Sequence, residues 1–122
     1  ANNLNGTIPI EIGSLPNIVR IVVRDNSLAG SIPTEIGQLT QLKYLYVYRN
    51  SLTGSIPTDL GRLSSLENLS VYTNRLTGVM PNEVCNLRTI NGGAMYSLAA
   101  DCEEIECSCC TRCCVDDSCA DV

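Results

Sequence analysis

The sequence predicts an α/β-type repeat solenoid closed by a disulfide-rich C-terminal segment. Three observations predict it. The stretch Leu42–Pro57, L-K-Y-L-Y-V-Y-R-N-S-L-T-G-S-I-P, recurs one period upstream as Ile18–Pro33 and one period downstream as Leu66–Pro81. Within each copy the apolar residues alternate as in a strand with one buried face. From Cys102 to Cys119 the chain is crowded with cysteine, seven in all. A fixed period of about 24 residues means stacked units, each too small to bury its apolar face alone.

The period can be read column by column. Gly6, Gly30, Gly54 and Gly78 fill one column, and Pro9, Pro33, Pro57 and Pro81 another. Asn2, Asn26, Asn50 and Asn74 make a third. Leu4, Leu28, Leu52 and Leu76 make a fourth, and Leu15, Leu39, Leu63 and Leu87 a fifth. Gly13, Gly37 and Gly61 share a position at which the next turn has Cys85.

Each column has a physical reading. Leu45 and Val47 point inward while Tyr44, Tyr46 and Tyr48 point outward, and equivalent strands stack into a parallel sheet. An Asn after each strand can bond backbone groups of adjacent turns as a ladder. The Gly of L-x-G-x-I-P permits positive φ or close backbone approach. The Pro punctuates the second extended piece. Thr34-Glu35-Ile36-Gly37 and its equivalents then suit a short helical turn, with Thr34 and Thr58 as candidate N-caps. The acidic column Glu11, Glu35, Asp59 and Glu83 lies where a helix start favours negative charge.

These residues together, L-x-x-L-x-L-x-x-N-x-L-x-G-x-I-P-x-x-I-G-x-L, resemble the plant-type, 24-residue leucine-rich repeat. The resemblance covers roughly residues 2–98 and includes the L-T-G-S-I-P segment at Leu52–Pro57. It implies a horseshoe with a parallel sheet on the concave face and helical turns on the convex face. It also implies recognition more often than catalysis.

Residues 1–98 are expected to form about four turns, and 99–122 a cysteine-rich cap. The array decays after Ile90: Gly93 falls at an inward strand position and Leu98 at the Asn position. Gly92-Gly93 therefore reads as a bulge or broken strand. The chain starts at the Asn column without an N-terminal cap, so Leu4, Ile8, Ile12 and Leu15 are expected to face water unless covered. This suits a fragment of a longer protein or an end that packs on a partner.

The eight cysteines are Cys85, Cys102, Cys107, Cys109, Cys110, Cys113, Cys114 and Cys119. All eight are expected in disulfides, with Cys85 tying the tail to the last turn. Four bridges leave 105 connectivities open. Adjacent cysteines such as Cys109 and Cys110 are expected to bond outward. Such density implies a secreted, oxidising setting. The rival is a zinc cluster, but C-S-C-C-T-R-C-C is not a clean C-x-x-C pair and no metal site is expected. The segment A-D-C-x(4)-C-x-C-C-T-x-C-C at Ala100–Cys114 also resembles the cysteine-rich end of secreted repeat proteins of diatoms and related algae.

Charge and composition exclude several functions. Residues 1–100 carry six acids and seven bases, and 101–122 seven acids and one base. A near-neutral array with an acidic tail offers no footprint for nucleic acid. No apolar run approaches a membrane span. The chain has no His, so the commonest metal ligand and general base is missing. No catalytic residues and no cofactor are expected.

Candidate binding residues follow from the outward strand positions. All five tyrosines, Tyr44, Tyr46, Tyr48, Tyr72 and Tyr96, fall there. Tyr48, Tyr72 and Tyr96 share a column headed by Arg24, with Arg20 and Arg49 beside it. Tyr next to Arg is the composition of binding hot spots and would also suit sugar stacking. The bland reading is cross-strand pairs that only stabilise a sheet. Asn5 and Asn68 begin N-x-[ST] sequons and are glycosylation candidates. A glycan on Asn68 would crowd the concave face.

The sequence thus predicts an extracellular, non-enzymatic module that binds a protein or glycan through its concave face. The alternative is a structural subunit stacked end to end with identical copies. Ice or mineral binding would want a regular Thr ladder, and the column Asn5, Ala29, Thr53, Thr77 is a poor one.

Overall fold

The computed structural model describes residues 4–122, so the Asn2 position of the ladder lies outside the described residues. The strands are β1 (Asn5–Thr7), β2 (Arg20–Val22), β3 (Ser27–Gly30), β4 (Tyr44–Tyr46), β5 (Ser51–Gly54) and β6 (Asn68–Ser70). They continue as β7 (Arg75–Leu76), β8 (Gly78–Val79), β9 (Ser97–Ala100), β10 (Ile105–Glu106), β11 (Arg112–Val115) and β12 (Ser118–Asp121). Strands β1, β3, β5 and β7 belong to a different layer from β2, β4 and β6 because each turn of chain visits both sides of the solenoid.

The concave sheet has six strands in the order β12-β11-β9-β6-β4-β2. Its repeat strands pair in parallel at the expected spacing, Arg20 beside Tyr44 and Tyr44 beside Asn68. A second parallel sheet, β1-β3-β5-β7, forms from the L-x-G segments, and β8 pairs with β10. The sequence foresaw the extended piece but not a sheet made from it. Its register is offset: Ala29 pairs with Ser51 and Thr53 with Arg75. Thr53 and Thr77 are therefore not cross-strand neighbours, and the Thr column is no ladder.

The core lies between these layers. Leu42, Leu45, Val47 and Leu52 are fully buried, and Ile56 is nearly so. Their equivalents Leu66, Leu69, Val71 and Leu76 are fully buried as well. Each such side chain contributes about 1.5–3 kcal/mol by leaving water. The Asn ladder also forms. Asn50 Oδ1 accepts from the Leu28 N–H at 3.1 Å, while its Nδ2 donates to Val23 and Val47 carbonyls at 2.9 and 3.0 Å. One side chain thus satisfies backbone groups of its own turn and the one before.

Convex turns are short 3₁₀ helices: Ile10–Ser14, Thr34–Gln38 and Thr58–Arg62. The N-cap positions are Pro33 and Pro57, with no side-chain cap bond, so Thr34 and Thr58 are not caps. Pro enters the turn in extended geometry and takes the cap position itself, which puts each Thr inside the helix. The acidic column does occupy each first turn. The glycine column has a packing cause. A Cβ on Gly13 would lie 2.5 Å from the Glu35 carbonyl oxygen, and one on Gly61 2.5 Å from Glu83 Cβ. Where no further convex turn stacks, after the α-helix Asn82–Cys85, the position holds Cys85, which bonds to Cys109 instead.

The end of the array departs from the expected register. Leu69 pairs with Leu98, not with Gly93, so this step is longer than those of the preceding turns. The five extra positions are absorbed by the 3₁₀ turn Thr89–Asn91 and the glycines behind it. Gly92 closes that turn at φ 90°, and Gly93 lies against the Leu87 backbone. The core decides this register, because Leu98 fills the strand's buried position and glycine cannot. The expected broken strand at Gly93 is therefore an excursion before an intact strand. The border at 98/99 falls inside β9.

Four disulfides close the cap: Cys85–Cys109, Cys102–Cys113, Cys107–Cys110 and Cys114–Cys119. No adjacent cysteines pair with each other. Parallel pairing of β11 with β9 and antiparallel pairing with β12 carry the concave sheet into the cap. Asp116 and Asp117, at φ 47° and 68°, form the two-residue hairpin turn between them.

Asp101 ends the ladder. Its buried carboxylate accepts from the Thr73 N–H at 2.9 Å and the Asn74 N–H at 3.3 Å. In the turn before, the matching N–H groups of Arg49 and Asn50 bond the carbonyls of Tyr72 and Thr73. A side chain thus replaces the missing backbone of a further turn.

Candidate binding surface

Side chains leaving the concave sheet form rows across its strands. The first row runs Arg20, Tyr44, Asn68, Ser97. The second runs Val22, Tyr46, Ser70, Ala99, Arg112. Ser70 and Ala99 are only 9% and 3% exposed although they stand in the concave-side row of Tyr46. The face is a shallow bowl with a small polar floor.

Tyr44, Tyr46, Tyr48 and Tyr72 come together as one aromatic cluster. Tyr48 and Tyr72 stack at 4.6 Å and 10°. Tyr46 lies 6.2 Å from Tyr44 and 6.3 Å from Tyr48. The Arg20 guanidinium sits 5.6 Å from the Tyr44 centroid, and those of Arg24 and Arg49 each 6.0 Å from Tyr48. Burial first, then neighbouring tyrosines, push the Tyr46 and Tyr72 phenols above their ordinary value. Tyr96 is not in the Tyr48–Tyr72 column, because the longer last step moves it. Its backbone N–H bonds the Glu67 carbonyl, one position before β9, and the residue is 55% exposed.

One rim of the bowl is an ion-pair chain that sequence reading missed. Arg24 pairs with Asp25 at 2.8 Å, and Asp25 with Arg49 at 3.2 Å. Arg49 reaches Asp117 of the cap hairpin at 3.2 Å, and the Thr73 hydroxyl donates to the same carboxylate. Thr73 bonding first, then Arg49, hold Asp117 below the ordinary carboxylate value. Burial pushes Asp25 up, but hydrogen bonds from Arg49 and Arg24 outweigh it and leave the group lowered. The bonds to Asp25 and Asp117 raise Arg49. Asp25, Arg49 and Thr73 all have positive φ, at 60°, 58° and 53°. No glycine marks this column, so nothing in composition announces it.

The sequons differ in setting. Asn5 is exposed at the edge of the second sheet. Asn68 lies in the bowl floor between Tyr44 and Ser97, not beside Gly92 as the simple period suggests. Its Oδ1 accepts from Ser70 Oγ at 3.3 Å. Among the described residues no group of three or more Cys, Asp or Glu is arranged to hold a metal ion. No helix among them is long and apolar enough to cross a membrane.

Comparison with known proteins agrees with this architecture. The Leucine Rich Repeat family model matches residues 41–63 and 65–87. No curated protein sequence matches the chain. Among solved structures, the BIR3–SERK2 complex from Arabidopsis thaliana has a chain 43% identical over 70% of this one and 46% of its own length, with a TM-score of 0.67. The plant peptide hormone receptor RGFR1, solved in complex with RGF2, is 28% identical, covering 82% of this chain and 16% of that one, with a TM-score of 0.75. A plant ice-binding protein is 31% identical, covering 85% and 31%, with a TM-score of 0.68. The chain spans less than half the length of each. The period, the two parallel sheets and the matched turns make it a leucine-rich-repeat solenoid with a disulfide-bonded C-terminal end.

Proposed function

We propose that the chain is an extracellular, non-enzymatic recognition module that binds a protein or peptide through its concave face. One observation carries the choice of partner. Several tyrosine ring faces are already engaged: Tyr48 by Tyr72, Arg24 and Arg49, and Tyr44 on one face by Arg20. A sugar ring stacks flat on an open aromatic face, and the central Tyr48–Tyr72 pair offers fewer of these than five free tyrosines would. Beside exposed Tyr96, the bowl offers ring edges and phenolic hydroxyls over a floor of Asn68, Ser70 and Ser97. Such groups suit backbone amides and side chains of a protein partner. Four disulfides support an oxidising, extracellular setting. The two neighbours solved with a peptide or protein partner support the same reading.

End-to-end stacking draws on exposed Leu4, Ile10 and Leu15 at the first turn. Any further solenoid turn would cover the same face, so the exposure does not favour a second copy. Ice binding is not favoured either, since the second sheet sets Thr53 against Arg75 and Thr7 against Ala29.

The test compares a glycan array with a displayed random-peptide library, each probed with wild type and with Tyr46→Ala. Peptides retained by wild type and lost on Tyr46→Ala are expected. Binding to glycans alone, or peptides indifferent to the substitution, refutes the proposal.

A further inference from the structure

We infer that the bound segment is an extended peptide with two carboxylates about six residues apart, one received by Arg20 and the other by Arg112. The inference rests on the concave-face reading and names the chemistry of its ligand. Most charges at this face are already used. Arg24 and Arg49 are held by Asp25 and Asp117, and Lys43 lies 3.9 Å from Glu67.

Two guanidinia differ. Arg20 has no carboxylate within salt-bridge range among the described residues. Its planar fork, held over the Tyr44 ring, keeps its donors for an incoming carboxylate. Arg112 pairs with Asp121 at 3.4 Å and donates to the Cys119 carbonyl at 3.3 Å, but the carboxylate is 90% exposed and the carbonyl contact lies at the surface. An exposed pair of this kind is worth little and is readily exchanged for a ligand. Arg112 stands beside Ala99 in the row of Ser70 and Tyr46, so it overlooks the same bowl.

The spacing sets the ligand. From β2 to β11 the sheet crosses four strand intervals, by way of β4, β6 and β9. At roughly 4.8 Å each this is about 19 Å, and the two-residue offset between the rows brings it to about 20 Å. An extended chain rising about 3.3 Å per residue covers that in about six residues. The floor between the two arginines is neutral, so the segment between the two acids is neutral or polar.

The experiment pans displayed random peptides of about twelve residues, twice the span, on the oxidised full chain. Enriched peptides are expected to carry two Asp or Glu about five to seven residues apart, close to the derived span. A synthetic copy should lose about tenfold in affinity on Arg20→Gln or on Arg112→Gln. Changing the matching peptide carboxylate to its amide should cost the same, with no further loss when both changes are combined. The amide change leaves the protein untouched, so misfolding cannot mimic it. Enriched peptides lacking an acidic pair, lost on Tyr46→Ala but unmoved by both arginine variants, overturn this inference and leave the concave-face reading standing. No enrichment, or binding indifferent to Tyr46→Ala, overturns both.

Discussion

Replacing Asp101 by Ala should destabilise the fold by about 3 kcal/mol. The carboxylate is 7% exposed and stands where a further turn would supply carbonyls. It accepts two backbone N–H groups, from Thr73 at 2.9 Å and Asn74 at 3.3 Å. A hydrogen bond to a charged acceptor is worth about 1.5–3 kcal/mol, and an unpaired buried donor costs about 1–3 kcal/mol. Assigning about 2 kcal/mol to the shorter bond and about 1 to the longer, part-buried one gives the total. For a chain of this size that lowers Tm by about 10 °C. Asp101→Asn should cost roughly half, since its amide oxygen keeps one bond and its nitrogen cannot accept the other. Urea unfolding of the oxidised proteins, with amide exchange at Thr73 and Asn74, measures this. Asp121→Ala is the control, because that side chain is 90% exposed. A loss below about 0.5 kcal/mol for Asp101→Ala, or unchanged protection at the two amides, would refute the reasoning.

Other expectations follow from the same contacts. Gly37→Ala should cost about 2 kcal/mol or more in urea unfolding, because its Cβ would overlap the Asp59 backbone. The Cys85–Cys109 bridge has a sequence separation of 24 and Cys107–Cys110 one of 3, so paired Ser substitutions should cost about 3.5 and 2 kcal/mol respectively by loop-closure entropy; thermal melts that reverse the order contradict it. Asp117 and Asp25 have folded pKa values below the ordinary 3.8, so their contribution is complete above that value and is lost as pH falls through the depressed ones. Protection of the hairpin-turn amides, measured relative to their intrinsic exchange rate at each pH, should therefore fall only at acid pH below 3.8, and a loss of protection near neutrality would count against the pairing with Arg49. Tyr46 and Tyr72 ionise later than ordinary phenols, so an ultraviolet titration should show a fraction of the five tyrosines titrating above pH 10.0. Expressed through a eukaryotic secretory route, the protein should carry a glycan at exposed Asn5 and none at Asn68; glycopeptide mass spectrometry showing the reverse would block the concave face.

Much of the fold was legible because one residue type per column does one job. Asn50 satisfies backbone on two turns, Gly37 yields to the next turn's carbonyl, and Leu45 fills the core, so identity alone reveals position. Cys85 at a glycine position correctly pointed to the cap. Legibility fails where geometry depends on partners rather than on residue type. Leu98 could be read as a ladder position until the core claimed it, and Tyr96 moved with it. Asp25, Arg49 and Thr73 adopt left-handed backbone without glycine, since the ladder beside them fixes the corner. The Arg49–Asp117 pair joins positions 68 apart, and no period links them. The tyrosine cluster itself was legible, but the covering of its faces by arginine was not.

The two sheets disagree about how far each turn advances. On the concave side Tyr44 pairs with Asn68, its equivalent one full period along. On the second sheet Ala29 pairs with Ser51, two positions short of its equivalent Thr53. Each new turn therefore slips about two residues, roughly 7 Å, along the strand direction on one side and not on the other. A slip on one flank alone is a rotation of every turn about the long axis. An array built from more copies of Leu42–Ser65 would wind as a helical staircase instead of closing as a flat arc. Ligand-facing rows would then spiral around it, and a long partner would have to follow that spiral to stay in contact.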